Sequence, residues 1–239
     1  MRKLLLISNS GTPLLRHCRA EIRNFLSDVR KVSYVTAARI DDAELRFEAA
    51  AVALAEIGLA AEHLRIEDGA RQNLSRAEAV FVSGGNTYVL LHRLRESGLL
   101  PYLAERVANG LPYIGTSAGT NIAGPSILAT NDWNVIGTTC FDAMNLVPWV
   151  INPHYKQNDP AMAPGSESRD QRISEYLKLN ATPVLAIEEG TAVRIEDGVA
   201  RVVGMGRARI FQRDEEPRWL SAGSSVPLND VRMEKTVVI

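Results

Sequence analysis

Short, unbroken apolar runs that stop abruptly on glycine, serine, asparagine or a charge constrain this chain more than any other feature. They are KLLLISNSG near the start, AVFVSGGNT at Ala79 to Thr87, LPYIGTSAG at Leu111 to Gly119, LVPWVINPH at Leu146 to His154, and TPVLAIEEG at Thr182 to Gly190. A strand with one face in water alternates apolar and polar residues, whereas a strand covered on both faces is apolar throughout, as in a parallel sheet. Between the runs lie helix-period segments, DDAELRFEAAAVALAEIG, TYVLLHRLRESG and PYLAERVANG, each closing on glycine. SESRDQRISEYLKLN reads as a further helix with a capping-type start. Strands alternating with helices predict an α/β fold, a mostly parallel, doubly wound sheet flanked by helices. AVRIEDGVARVVG predicts a carboxyl-terminal β-hairpin turning at Glu196-Asp197-Gly198. In such sheets ligands bind beyond the carboxyl ends of the strands, so the polar strand ends are expected to face one crevice.

The chain of 239 residues has a hydrophobic fraction of 46%, enough for one large core, and is read as a single domain over 1–239. A net charge of −1 without a basic run argues against nucleic acid as a partner. The apolar stretch in MRKLLLISNSG is too short for a signal peptide, and no later run approaches the roughly 20 residues of a membrane span. Cys18 and Cys140 have no metal-type spacing and read as free thiols in a reducing compartment, which places the protein in the cytoplasm. RDEEPRWLSAGSSVPLND, polar and irregular, is assigned no role.

YIGTSAGTN puts Ser117 in a G-x-S-x-G pattern between an expected strand and an expected helix, the setting of a nucleophile elbow. Gly115, Ala118 and Gly119 supply the small neighbours that so tight a turn needs, while Gly124-Pro125 limits the following helix. A serine hydroxyl needs a general base. Of four histidines, His17 and His92 fall in helical stretches and His63 in or beside a strand; only His154 directly follows a strand on the carboxyl-end side. Glu188 and Glu189 end the last apolar run, and because neighbours on a strand point to opposite faces, at most one reaches the imidazole. The amide of Ala118, next to the nucleophile, and that of Gly85 in SGGNT are the candidate oxyanion donors. Gly84-Gly85 lacks the spacing of a P-loop or a dinucleotide fingerprint, so no cofactor is expected. The scattered histidines offer no zinc-peptidase spacing, and no metal is expected either.

Taken in order, LLLISNS, SGGNTYVLL, YIGTSAGTNIAGPSI, TND, FDAMNLVPWVINPHY, SRDQRI and IEEG resemble the peptidase E, or α-aspartyl dipeptidase, family. The resemblance implies a fold like that of the class I glutamine amidotransferases, with serine in place of their cysteine. It implies Ser117 as nucleophile, His154 as base, Glu189 as the acidic member, and Gly85 and Ala118 as oxyanion donors. It further implies a small peptide substrate with an amino-terminal aspartate. The substrate's ammonium then wants an acid, for which Asp132 in TND is available, and its carboxylate wants arginine, for which Arg169 in SRDQRI matches, with Arg172 on roughly the same helix face. The departures are SESR where GETR is expected, the loop YKQNDPAMAPG after His154, and no motif after about Phe211. A cyanophycinase-like hydrolase of aspartate-rich polymers and a non-catalytic binding protein are the competing readings. An α/β-hydrolase esterase is disfavoured because its triad runs serine, acid, histidine.

Overall fold

A computed structural model of the chain describes residues 2–67, 69–157 and 165–228. The strands are β1 (Leu4–Ile7), β2 (Lys31–Val35), β3 (Ala60–His63), β4 (Val80–Val82), β5 (Tyr113–Thr116), β6 (Val150–Tyr155), β7 (Val184–Glu188), β8 (Thr191–Glu196), β9 (Val199–Gly204), β10 (Ala208–Phe211), β11 (Arg218–Leu220) and β12 (Ser225–Pro227). The helices are α1 (Arg19–Phe25), α2 (Ala43–Ala55), α3 (Ala70–Ser75), α4 (Thr87–Glu96), α5 (Leu99–Ala108), α6 (Ala118–Asn121) and α7 (Arg169–Leu179).

The large sheet has eight strands in the order β12-β9-β8-β1-β5-β4-β2-β3. From β1 to β3 all neighbours are parallel, whereas β8, β9 and β12 add on antiparallel. The apolar runs work as their composition predicts. Leu4 and Leu6 of β1 enter the core on one face and Leu5 and Ile7 the core on the other, all at 0% exposure. Val80 and Val82 of β4 part from Phe81 in the same way. One face is covered by α1 and α2 through Ile22, Phe25, Ala50 and Leu54, the other by α4 and α5. Proline at position 101 lies inside the first turn of α5 rather than before it, where no intrahelical donor is lost. The hairpin forms as expected: β8 and β9 join through Asp197 and Gly198, with φ of 52° and 77°, the left-handed pair that a tight two-residue turn demands.

Two expectations need correction. The five apolar runs do not share one sheet. β6 and β7, parallel to each other, form a second sheet with β10 and β11, in the order β11-β10-β7-β6. Its inner face, Ile151, Leu185 and Ile187, packs into the same core as β1, and its outer face, Val150, Val184 and Ala186, packs on Ile173 and Leu177 of α7. The segment expected to be irregular supplies β11 and β12, one edge strand to each sheet.

The carboxyl ends of β1, β6 and β7 nonetheless converge, because polar residues after β1 stitch the sheets together. Ser8 Oγ donates to the Ile187 carbonyl (2.9 Å) and accepts from the His154 amide (2.8 Å). Asn9 Oδ1 accepts from the Gly190 amide (2.9 Å). Buried backbone groups at a strand's end need such partners, and Ser8 is itself fully buried. Among the described residues no helix is long and apolar enough to cross a membrane.

Candidate active site

Ser117 stands where β5 turns into α6, with φ 51° and ψ −108°, a conformation that a non-glycine residue rarely adopts and that costs on the order of 1–3 kcal/mol. The surroundings hold it there. The Tyr113 hydroxyl donates to the Gly119 carbonyl (2.5 Å), and Thr120 Oγ1 lies 2.7 Å from the Ile7 carbonyl and 2.8 Å from that of Gly115. A methyl group at Gly84 would come within 3.1 Å of Ser117 Cβ, and one at Gly119 would collide with the Val82 carbonyl. The helix then ends within one turn, as Gly124-Pro125 requires.

His154 is delivered by an irregularity in β6. Pairing with β7 changes register between Asn152 and Tyr155, Pro153 has no N–H to donate, and His154 takes φ 56° with its amide turned to Ser8. The bulge aims the imidazole across the seam between the sheets. Nε2 lies 2.9 Å from Ser117 Oγ, and Nδ1 lies 3.1 Å from Glu189 Oε1. The glutamate ambiguity has a physical resolution. Glu188 is occupied by Arg207, whose amide (2.9 Å), Nε (3.3 Å) and Nη2 (3.0 Å) all donate to its carboxylate, while Glu189, one step on, faces the histidine. Nearby, burial lowers the His17 pKa against the opposing pull of the Glu189 carboxylate, which favours a neutral imidazole that does not compete with His154 for that charge.

Ala118 opens α6, so its N–H is one of the first-turn donors that helix geometry leaves without an intrahelical acceptor. Gly85, after β4, has φ 151°, and a methyl group there would strike the Ala38 carbonyl; only glycine lets the backbone run so close to Ala38.

Asp132 and Arg169 line one cavity of about 410 Å³, bounded by the 128–134 segment, Asn152 and the first turns of α7. Asp132 Oδ2 accepts from the Thr87 amide (2.7 Å) and hydroxyl (2.5 Å), which ties this segment to the positive end of α4. Arg169 lies at the amino end of α7 behind a complete capping box between Ser168 and Gln171, and its Nη1 donates to Asn131 Oδ1. Arg172 lines the same cavity and pairs loosely with Glu167 (3.4 Å). Residues 158–164 of the loop after His154 lie outside the described residues.

His63 is committed elsewhere, 2.7 Å from Thr36 Oγ1 and stacked on Phe47, and His92 is exposed on α4. The residues not singled out in the sequence are connectors. Asn131 Nδ2 donates to the Pro153 carbonyl (2.7 Å), and its Oδ1 accepts from Asn152 (2.9 Å) as well as from Arg169, so one amide joins the cavity wall to the strand carrying His154. The available signal was proximity in sequence: Asn131 adjoins Asp132, and Ser8 and Asn9 end the first apolar run.

Comparison with known proteins shows the family. The model of Peptidase family S51 matches residues 4–203. Peptidase E of Streptomyces coelicolor is 38% identical over 235 residues, covering 97% of this chain and 96% of that protein. A probable alpha-aspartyl dipeptidase of Drosophila melanogaster is 38% identical over 219 residues, covering 89% and 91%. The crystal structure of a putative peptidase E from Listeria monocytogenes superposes with a TM-score of 0.70 at 27% identity, covering 86% of this chain and all of that one. With a family match over most of its length and relatives of this identity and coverage, the chain belongs to Peptidase family S51 and is a serine peptidase.

Proposed function

We propose that this single hydrolytic domain over 1–239 is a dipeptidase that cleaves the bond after an amino-terminal aspartate, with Ser117, His154 and Glu189 as its triad. The observation that carries the reading is the continuous hydrogen-bonded chain Ser117 Oγ–His154 Nε2, Nδ1–Glu189 Oε1, at 2.9 and 3.1 Å, open at a shared rim. A carboxylate on Nδ1 keeps the proton there and leaves Nε2 as the acceptor. Ser117 Oγ attacks the peptide carbonyl carbon as its proton passes to Nε2, and the oxyanion is received by the Gly85 and Ala118 amides. The C–N bond breaks as Nε2 protonates the departing amine. Water, deprotonated by the same nitrogen, attacks the acyl ester and releases aspartate with the serine restored.

The cavity that Asn131 joins to the strand carrying His154 suits the aspartyl residue. Asp132 has acceptor capacity left for an ammonium group beyond its two bonds to Thr87. Arg169 offers a planar guanidinium to the side-chain carboxylate, and its Nη1 donates to Asn131 at the cavity wall. The name of the Drosophila relative points to the same substrate class. A cytoplasmic setting accords with two unpaired cysteines.

A panel of Asp-Leu, Asn-Leu and Ala-Leu tests the specificity. The wild type is expected to favour Asp-Leu in kcat/KM by on the order of 10²-fold, and Arg169→Ala is expected to erase most of that preference, because a site built to hydrogen-bond one substrate group discriminates against an analogue that lacks it. Equal rates on all three dipeptides would remove the aspartate assignment, and faster cleavage of an aspartyl-arginine polymer would transfer it to the cyanophycinase-like reading.

A further inference from the structure

Three residues given roles above share one property: a chain neighbour of each is held by the same small group of side chains. Tyr155 follows His154, Asp170 follows Arg169, and Glu188 precedes Glu189. The Tyr155 hydroxyl donates to Asp170 Oδ1 (2.5 Å) and accepts from Arg209 Nη1 (2.9 Å), which also donates to Asp170 Oδ2 (2.7 Å). Glu188 is held by Arg207. Trp219 of β11 unites the two halves: the Arg207 guanidinium carbon lies 3.7 Å from its ring centre and that of Arg209 4.9 Å, with the Tyr155 ring edge-on at 5.9 Å. Arg207, Arg209 and Trp219 all follow residue 203, where the family match stops.

We propose that Arg207, Arg209 and Trp219 form a positioning platform that fixes His154, Glu189 and Arg169 relative to one another, so that the base, its carboxylate and the reader of the substrate's charge move as one body. Deepening the function above, this rests on the roles assigned there. Exposed ion pairs contribute little, but the Arg209 side chain is only 11% exposed and its Nη1 serves two partners from different elements. Burial first, and the bond to Asp170 second, push the Tyr155 phenol up to about 12, so it remains a donor throughout the working pH range. Tyr155 and Glu188 are register partners in the β6–β7 ladder, whereas Asp170 belongs to α7, which lies outside that ladder. None of the platform residues touches substrate in this scheme; each acts through another.

The test is Arg209→Met, which keeps the stem and removes the fork, alongside Tyr155→Phe and Arg169→Ala, all compared well below each variant's own melting temperature. Two readouts separate positioning from mere structure: the rate of Ser117 labelling by a fluorophosphonate, which reports the triad, and the ratio of kcat/KM for Asp-Leu over Asn-Leu, which reports Arg169. Folded Arg209→Met is expected to lower both by on the order of tenfold, since small misplacements of reacting groups carry penalties of this size. Tyr155→Phe is expected to shift both in the same direction by less, and it decides the matter should Arg209→Met not fold. A folded Arg209→Met with both readouts within twofold of wild type overturns the platform, as does Tyr155→Phe with wild-type values if it is the variant left to judge. Arg169→Ala keeps the two ideas apart. If it retains the Asp-Leu preference, the role given to Arg169 fails; if it loses that preference while Arg209→Met keeps it, only the platform fails.

Discussion

Replacing Ser117 by alanine is expected to cut kcat on an aspartyl dipeptide by on the order of 10⁴–10⁶, with KM nearly unchanged and fluorophosphonate labelling abolished. The size follows from how the proposed triad divides its labour. In that proposal the hydroxyl supplies the bond that splits one hard hydrolysis into two easier steps, while His154 and Glu189, in contact at 2.9 and 3.1 Å, serve that oxygen alone. What remains is oxyanion stabilisation and binding. His154→Ala is expected to fall nearly as far, and the double variant no further than Ser117→Ala, because groups that act as a unit do not lose activity additively. Retention of more than about a tenth of wild-type turnover by Ser117→Ala would show that another group attacks the substrate.

Gly119→Ala is expected to destabilise the fold by about 3 kcal/mol, at the upper end of overpacking costs, because the added methyl meets main chain rather than a side chain that can rotate away. The obstacle is the Val82 carbonyl of β4, in the centre of the parallel strands, and the glycine's own carbonyl is pinned by the buried Tyr113 hydroxyl. For a chain of this length the melting temperature should fall by roughly 6–12 °C. A calorimetric midpoint within about 2 °C of wild type would contradict the packing described for the serine turn. Gly119 thus answers to the core as much as to the nucleophile it follows.

The parallel strands were legible where both faces are covered, since β1, β4 and β5 send consecutive apolar residues into opposite cores. β2 escaped notice because Lys31, Ser33 and Thr36 interrupt its run; Ser33 is nonetheless 3% exposed and Thr36 5%. Sheet membership was not legible at all. β6 and β7 carry the same apolar signature as β1, and what sends them to a second sheet is the pairing of β7 with β10, a strand of mixed composition (ARIF) that only tertiary context selects. The site follows the same division. Ser117 and His154 stand out because each ends a strand with a reactive group. The resemblance picks Glu189 over Glu188, but the physical reason, Arg207 holding Glu188, lies 19 residues downstream of Glu188. Asn131, Ser8 and Asn9 are ordinary polar residues until their partners across the molecule are known.

Because the proposed nucleophile rises from one sheet and the proposed base and acid from the other, competence in this scheme is a property of the seam closed by Ser8 and Asn9. A hinge-like gap of a single ångström there would silence the enzyme while every strand stayed intact. Warming or mild denaturant should therefore extinguish peptidase activity ahead of the far-ultraviolet circular dichroism signal, and Ser8→Ala should widen the interval between the two midpoints.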